Sequence, residues 1–311
     1  MNAPTKTWYL PFLILLSGMG GLLAGIDFGI IAGALVYLDK TIPMTAAEQG
    51  FMVAIYTFGG LIAALFAGTL ADLLGRKKMM LAGGLMFVAS ILLIFISDTY
   101  YPLLVGRVLM GLSGGVVCVV VPLFMAECLP TAFRGRGTSA FQLLLTLGLV
   151  LATIVSKYFA DIHDSAVTAA AGNADLIFKA DQSAWKNIFL TACVPGALFC
   201  SLALVASESP RWLFRRKREA DAERILRFSR SQSEAEIEMS EMRERSGTAN
   251  SGAKSADTGS LFQRKYVIPF ILSCIVLACT QATGINTILP FGAKIIQGAG
   301  LSEKAAQDNL W

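Results

Sequence analysis

Seven apolar stretches, each long enough to cross a bilayer, constrain this chain more than any other feature. They lie near 10–37, 49–71, 79–97, 101–125, 137–159, 187–206 and 266–297. A hydrocarbon core of about 30 Å takes about 20 residues of helix to cross, and within it every backbone polar group must be satisfied inside the segment. The rest of the composition agrees. Of 311 residues, 55% are hydrophobic and 15% charged; the mean hydropathy is +0.61. The expected fold is therefore an all-α polytopic membrane protein. The first run lacks a small-residue cleavage site followed by a soluble domain, so it reads as a retained helix. The six cysteines contain no CxxC pair and read as packing residues. No metal or cofactor motif and no nucleic-acid motif is present, so no cofactor, no catalytic metal and no nucleic-acid partner are expected.

Charge placement orders the spans. Arg76, Lys77 and Lys78 follow the second, Arg134 and Arg136 the fourth, and thirteen Lys/Arg lie between Arg211 and Lys265. The opposite loops carry Asp39, Glu48, Asp98, Asp161, Asp164, Asp175 and Asp181. By the positive-inside rule the N-terminus is cytoplasmic and, after seven spans, the C-terminus is external. The organisation expected is a six-helix bundle over 1–206, a cytosolic helical linker over 207–265, and a seventh span with a short tail over 266–311. Within the linker, 219–230 has helical periodicity, "SEAE" at 233–236 reads as a capping box opening a second short helix, and 247–260 reads as flexible. Three spans followed by three match the inverted repeats of secondary transporters.

Asp27 is the anomaly. It sits in "GLLAGIDFGIIAG" (21–33), with no other charge between Leu10 and Leu38. A charge at mid-bilayer costs about 2.5–3.5 kcal/mol on the lenient insertion scale and marks function. Arg107, in "VGRVLMGLSGG", is the other deep charge in the first six spans. Both are expected in the outer part of the membrane, on the first helix of each triplet and face to face. Gly21, Gly25, Gly29 and Gly33 form a stripe for close helix approach, and Asp27 points away from it. Gly111, Gly114 and Cys118 share the face of Arg107, where small residues leave room for water or a ligand. The functional reading is a protonatable Asp27 coupled to Arg107; the alternative is a fixed structural ion pair.

Five motifs in order carry a resemblance. "GGLLAGID", "GTLADLLGRKKMML" (68–81), "GRVLMGLSGGVVCVVVPLFMAECLPTAFRGRG" (106–137), "SESPRWLF" (207–214) and "QATGIN" (281–286) together resemble the sugar porters of the major facilitator superfamily. The resemblance implies a monosaccharide site at the midplane, with the amides of Gln142, Gln281 and Asn286 binding hydroxyls as both donors and acceptors, and a break in span seven at "TGIN". Asp27 is what the proton-coupled members carry, so sugar:proton symport by alternating access is implied, with sugar, proton and lipid bilayer as partners. Asp72, Gly75, Arg76, Glu127, Arg134, Glu208 and Arg211 match the inner gating network. Lys77, Lys78 and Arg215–Arg218 read as ordinary positive-inside anchors.

The sequence also departs from the pattern. Leu73 stands where the loop motif carries arginine, Thr280 replaces a glutamine, Pro290 and Phe291 replace an aromatic pair, and Leu149 replaces a polar residue. The family has twelve spans, so a chain ending at Trp311 is expected to be a truncated form whose C-terminal half is missing or supplied from elsewhere. The other readings are a non-transporting sugar sensor or a non-functional fragment. Catalysis has one hint, "GLSGG" (111–115), but Ser113 needs a base. The single histidine, His163, falls in the outer loop after span five and reads as solvated, so the chain is not expected to be an enzyme.

Overall fold

The computed structural model describes residues 8–250 and 264–284, together with Ile288, Phe291 and Ile295. Among them the chain is helical and has no strand. The helices are α1 (Tyr9–Thr41), α2 (Ala46–Leu74), α3 (Arg76–Phe95), α4 (Tyr100–Cys128), α5 (Thr131–Ala169), α6 (Ala174–Thr191), α7 (Cys193–Val205), α8 (Pro210–Arg215), α9 (Glu219–Ser229), α10 (Gln232–Asn250) and α11 (Arg264–Ala282). α6 and α7 form one apolar crossing, Ala174–Val205, interrupted at Ala192. Pro195 explains the interruption: it has no N–H for the carbonyl four residues back, and its ring crowds that carbonyl.

Helix α1 is the centre of the bundle, with 89% of its apolar window buried against 11% for α5. Its glycine stripe makes this possible. A Cβ on Gly21 would stand 1.9 Å from the Phe141 carbonyl oxygen, and one on Gly25 1.9 Å from that of Leu145. At Gly29 and Gly33 the nearest atoms are instead the small side chains of Ala152 and Ser156. The stripe is therefore a face of close helix approach, as the spacing predicts, and the helix that fills it is α5. Helices α2 and α4 pack by the same device: a Cβ on Gly111 would lie 2.1 Å from the Tyr56 carbonyl oxygen, and one on Gly115 2.4 Å from that of Gly60. The repeat that exchanges α1 with α4 and α2 with α5 maps one close pair onto the other.

This packing sets a prediction. Gly25→Ala forces α1 and α5 apart and is expected to destabilise the bundle by about 1–3 kcal/mol, the usual range for overpacking. Gly68→Ala, with nothing within 4 Å of its Cβ, is expected to be neutral or to stabilise by up to about 1 kcal/mol through helix propensity. Thermal unfolding of the two variants in detergent gives the comparison.

The region between spans five and six differs from expectation. It is not a loop: α5 continues to Ala169 and α6 begins at Ala174. At about 1.5 Å per residue, α5 is roughly 58 Å long, far more than a hydrocarbon core needs. Hydropathy marks where a helix leaves the lipid, not where it ends. The turn comes only at Ala171 (φ 47°) and Gly172 (φ 85°), and Asn173 then caps α6 by accepting from the amides of Asp175 and Leu176. His163 is consequently not solvated. It is buried, with Nε2 2.7 Å from Asp181 Oδ1 and its ring 4.6 Å from that of Tyr37. Nearby, Trp185 Nε1 donates to Thr41 Oγ1 at 2.9 Å, which ties α6 to α1. Asp181→Ala leaves a buried imidazole nitrogen unpaired, a loss expected to cost about 1–3 kcal/mol and read as a lower unfolding midpoint.

The polar insert folds as a small helical layer. Leu213, Ala222, Leu226, Ala235 and Met239 form its core. The capping box lies two residues earlier than "SEAE": Ser231 Oγ accepts from the Glu234 amide at 3.4 Å, and the Ser231 amide donates to Glu234 Oε2 at 2.9 Å. These bonds from Ser231 hold the Glu234 carboxyl below its ordinary range. Helix α10 then runs to Asn250, into the segment expected to be flexible; residues 251–260 lie outside the described residues. The layer docks on the bundle through the Tyr9–Ser207 hydroxyl pair, the Tyr9–Phe228 edge contact and Arg230, which donates to the Cys128 carbonyl at 3.2 Å.

Span seven is described only in its first part, the rest of 266–297 lying largely outside the described residues. Its apolar part covers Val267–Thr280, α11 ends at Ala282, and Gly284 follows with φ 74°. The left-handed conformation that glycine alone adopts freely places the break where "TGIN" predicts it. Ile268, Phe270, Ile271, Leu272, Ile275 and Val276 are exposed, so α11 does not pack into the bundle, while Phe291 packs against the bundle core.

Candidate functional site

Asp27 and Arg107 are both 1% exposed. α1 turns Asp27 away from α5 and toward α2 and α4, because the glycine stripe takes the opposite side. The two charges do not form an ion pair within 4.0 Å; Tyr56 of α2 touches both. Its hydroxyl donates to Asp27 Oδ2 at 3.3 Å, and the Arg107 guanidinium carbon lies 5.0 Å from its ring centroid, within cation–π range. Phe28 packs edge-on against the same ring at 5.5 Å. Asp27 Oδ1 and Arg107 Nε have no hydrogen-bond partner. The fixed structural ion pair is therefore not the arrangement observed.

The small residues beneath Arg107 do not leave an open space. Gly111 lets the α2 backbone in, and a Cβ on Gly114 would stand 2.9 Å from the Tyr56 hydroxyl and 3.5 Å from Asp27 Oδ2. They make room for Tyr56, not for a ligand. Cys118, one turn further, is exposed, as are Cys274 and Cys279; Cys128 and Cys200 are buried. Tyr56 is the residue that reading the sequence missed. The signal was available: it is the one tyrosine in α2, and a buried phenol needs a polar partner for its tip.

Of the three amides, Gln142 lies on α5 with its side chain exposed. Gln281 is in the last turn of α11, and Asn286 lies outside the described residues, as does Pro290.

The charges at the other end divide into two groups. Arg76, 2% exposed, is the hub. Its Nη2 donates to Asp72 Oδ1 at 2.6 Å and Glu127 Oε1 at 2.9 Å, its Nη1 donates to the Ala71 carbonyl at 3.1 Å, and its Nε lies 2.8 Å from Glu127 Oε2. Glu208 pairs with backbone instead of arginine: its Oε1 accepts from the amides of Arg76 (2.9 Å), Lys77 (3.1 Å) and Ser209 (2.9 Å). Those first two are free amides at the start of α3, where a carboxylate also meets the positive end of the helix dipole. Gly75 (φ 102°) makes the turn, and a Cβ there would stand 2.3 Å from Glu208 Oε2. Among the described residues Arg134 and Arg211 make no ion pair with a carboxylate; Arg134 donates to the Leu129 carbonyl at 3.2 Å. In their place Arg215 reaches Asp72 at 3.1 Å, Ser209 Oγ donates to Glu127 at 2.5 Å, Trp212 Nε1 donates to the Asp72 carbonyl at 2.9 Å, and Arg216 donates to the Leu73 carbonyl at 2.5 Å. Arg215 and Arg216 are thus more than anchors. Lys77 also has a protein partner, donating to the Leu204 carbonyl at 2.7 Å.

Ser113 and His163 have separate partners. Ser113 Oγ donates to the Gly83 carbonyl at 2.8 Å, while the imidazole faces Asp181 and Asp164.

Comparison with known proteins adds the lineage. The family profile described as "Sugar (and other) transporter" matches residues 13–309. The galactose-proton symporter of Escherichia coli is 31% identical over 301 residues, which cover 96% of this chain and 59% of that protein. The glucose transporter GlcP of Staphylococcus epidermidis is 30% identical over 301 residues, 96% of this chain and 61% of its own. Among solved structures, the partially occluded, inward-open xylose transporter XylE of E. coli superposes with a TM-score of 0.76 at 21% identity, covering 96% of this chain and 68% of that one. The chain spans about 60% of the length of the curated relatives it matches.

Proposed function

The chain belongs to the sugar (and other) transporter family, and from that premise we propose that it is a multi-pass sugar porter of the major facilitator superfamily, taking part in monosaccharide:proton symport by alternating access. The observation that carries the reading is Asp27: a buried carboxyl in the central helix, turned off the α5 contact, with one oxygen unpartnered and no ion pair fixing its charge. Desolvation and a nearby guanidinium act on such a group in opposite senses, so rocking of the bundle resets its protonation. Relatives named as galactose-proton and arabinose-proton symporters support a monosaccharide and a proton as the pair carried.

In this reading Gln142, Gln281 and Asn286 contact sugar hydroxyls, and Asp72, Gly75, Arg76, Glu127, Glu208, Arg134 and Arg211 belong to the inner gate. Residues 1–206 form the rocking unit, 207–265 the cytosolic linker, and 266–311 the first span of the opposing half. The N-terminus is cytoplasmic, supported by the clustering of Arg76, Arg134, Arg215 and Arg230 at one end of the bundle.

The test is uptake of radiolabelled pentose and hexose into vesicles, with and without an inward proton gradient. The chain is tested alone and together with the six-span C-terminal half of a related porter. Gradient-dependent accumulation in either arm is the expected result; sugar binding without flux in both would overturn transport in favour of sensing.

A further inference from the structure

We infer that Tyr56 is a positioning residue of the coupling site, which keeps Asp27 and Arg107 from closing into an ion pair and leaves Asp27 Oδ1 as the atom that takes the proton. This rests on the symport reading above. Three observations carry it. The phenol is in contact with both charges: its hydroxyl donates to Oδ2 and its face carries the guanidinium. Its place is over-determined, since Phe28 packs on the ring and Gly111 and Gly114 bring α4 against its backbone and hydroxyl. Each of the two charges it touches also keeps a buried polar atom without a hydrogen-bond partner, Asp27 Oδ1 and Arg107 Nε.

A contacting Asp–Arg pair in a buried site would stabilise the carboxylate and hold its charge, because opposite charges attract more strongly where the dielectric is low. Interposing an aromatic ring weakens that hold while still giving each charge a partner. With Oδ2 occupied by the Tyr56 hydroxyl, a proton from solvent forms its O–H bond at Oδ1, the carboxylate becomes neutral, and release to solvent reverses the step. Tyr56 neither gains nor loses a proton.

Infrared difference spectroscopy on the full chain in lipid vesicles, stepped between neutral and acidic pH, tests this without requiring transport. The protonated-carboxyl band that Asp27→Asn removes is expected to move to higher frequency in Tyr56→Phe, where its C=O loses a donor. The tyrosine C–O band that Tyr56→Phe removes is expected to shift in Asp27→Asn. Tyr56→Phe keeps the ring, so packing and helix content are retained, and a residue that served packing alone would leave the Asp27 band in place. An unmoved carboxyl band in Tyr56→Phe overturns the proposal. If no band assignable to Asp27 appears on acidification while the tyrosine band still answers to Asp27→Asn, the contact stands and the proton reading of Asp27 is what fails.

Discussion

In Asp27→Asn, gradient-driven accumulation is expected to disappear, the internal sugar concentration stopping at the external one, while sugar exchange across the membrane persists. Asparagine has nearly the shape of aspartate, and its amide oxygen can accept the Tyr56 hydroxyl as Oδ2 does. The α1–α5 contact lies on the other side of the helix and is untouched. What the variant lacks is a charge that can be gained and lost. A buried carboxylate is strongly disfavoured without a partner, and Asp27 has one oxygen with none, so the variant is also expected to unfold no earlier than its parent. Uptake with a gradient and counterflow without one, in the arm that transports, separate the two effects. Full uphill uptake by the variant would sink the coupling role.

The second large effect is on folding. Glu127→Ala removes the carboxylate that meets both Nε and Nη2 of Arg76. It also removes the acceptor of Ser209 Oγ. Arg76 is 2% exposed, and stranding one member of a buried pair typically costs about 3–5 kcal/mol. Asp72 cannot substitute: its side chain is 53% exposed, where solvent weakens an ion pair to about 1 kcal/mol or less. The expected result is a large drop in thermal unfolding midpoint for Glu127→Ala. The double variant Arg76→Leu/Glu127→Leu is expected to recover most of it, because a well-packed apolar pair carries no uncompensated charge. A single variant that unfolds with its parent would show that the hub contributes nothing to the resting fold.

Both effects bear on how the two ends of the bundle relate. Asp27 and Arg107 sit in its interior, while Arg76, Glu127 and Glu208 tie the start of α3 to the segment after α7. Glu208 holds backbone amides, which stay in place whatever the arginines do. Arg76 and Glu127 hold side chains, which can separate. The structure thus distinguishes a part of the charge cluster that builds the α2–α3 turn from a part able to open, a distinction the motif pattern does not make.

Periodicity and composition were enough to give the class of fold, the approximate places of the first six spans, the close-approach stripe of α1 and the anomaly of Asp27, while the break at Gly284 came from the family resemblance. Each depends on residues near one another in sequence or on the uniform demand of a lipid environment, and such demands are written locally. The expectations that failed needed contacts between distant segments. Hydropathy could not show that α5 and α6 continue as helices past the lipid, because polar helices cross no hydrophobic threshold. The burial of His163 depends on Asp181 and Tyr37, eighteen and 126 residues away along the chain. Tyr56 between Asp27 and Arg107, and Arg215 on Asp72 where Arg134 and Arg211 were expected among the carboxylates, are choices of partner. Pairing of buried polar groups is settled by which helices the small residues allow to approach, and only the packed structure decides that.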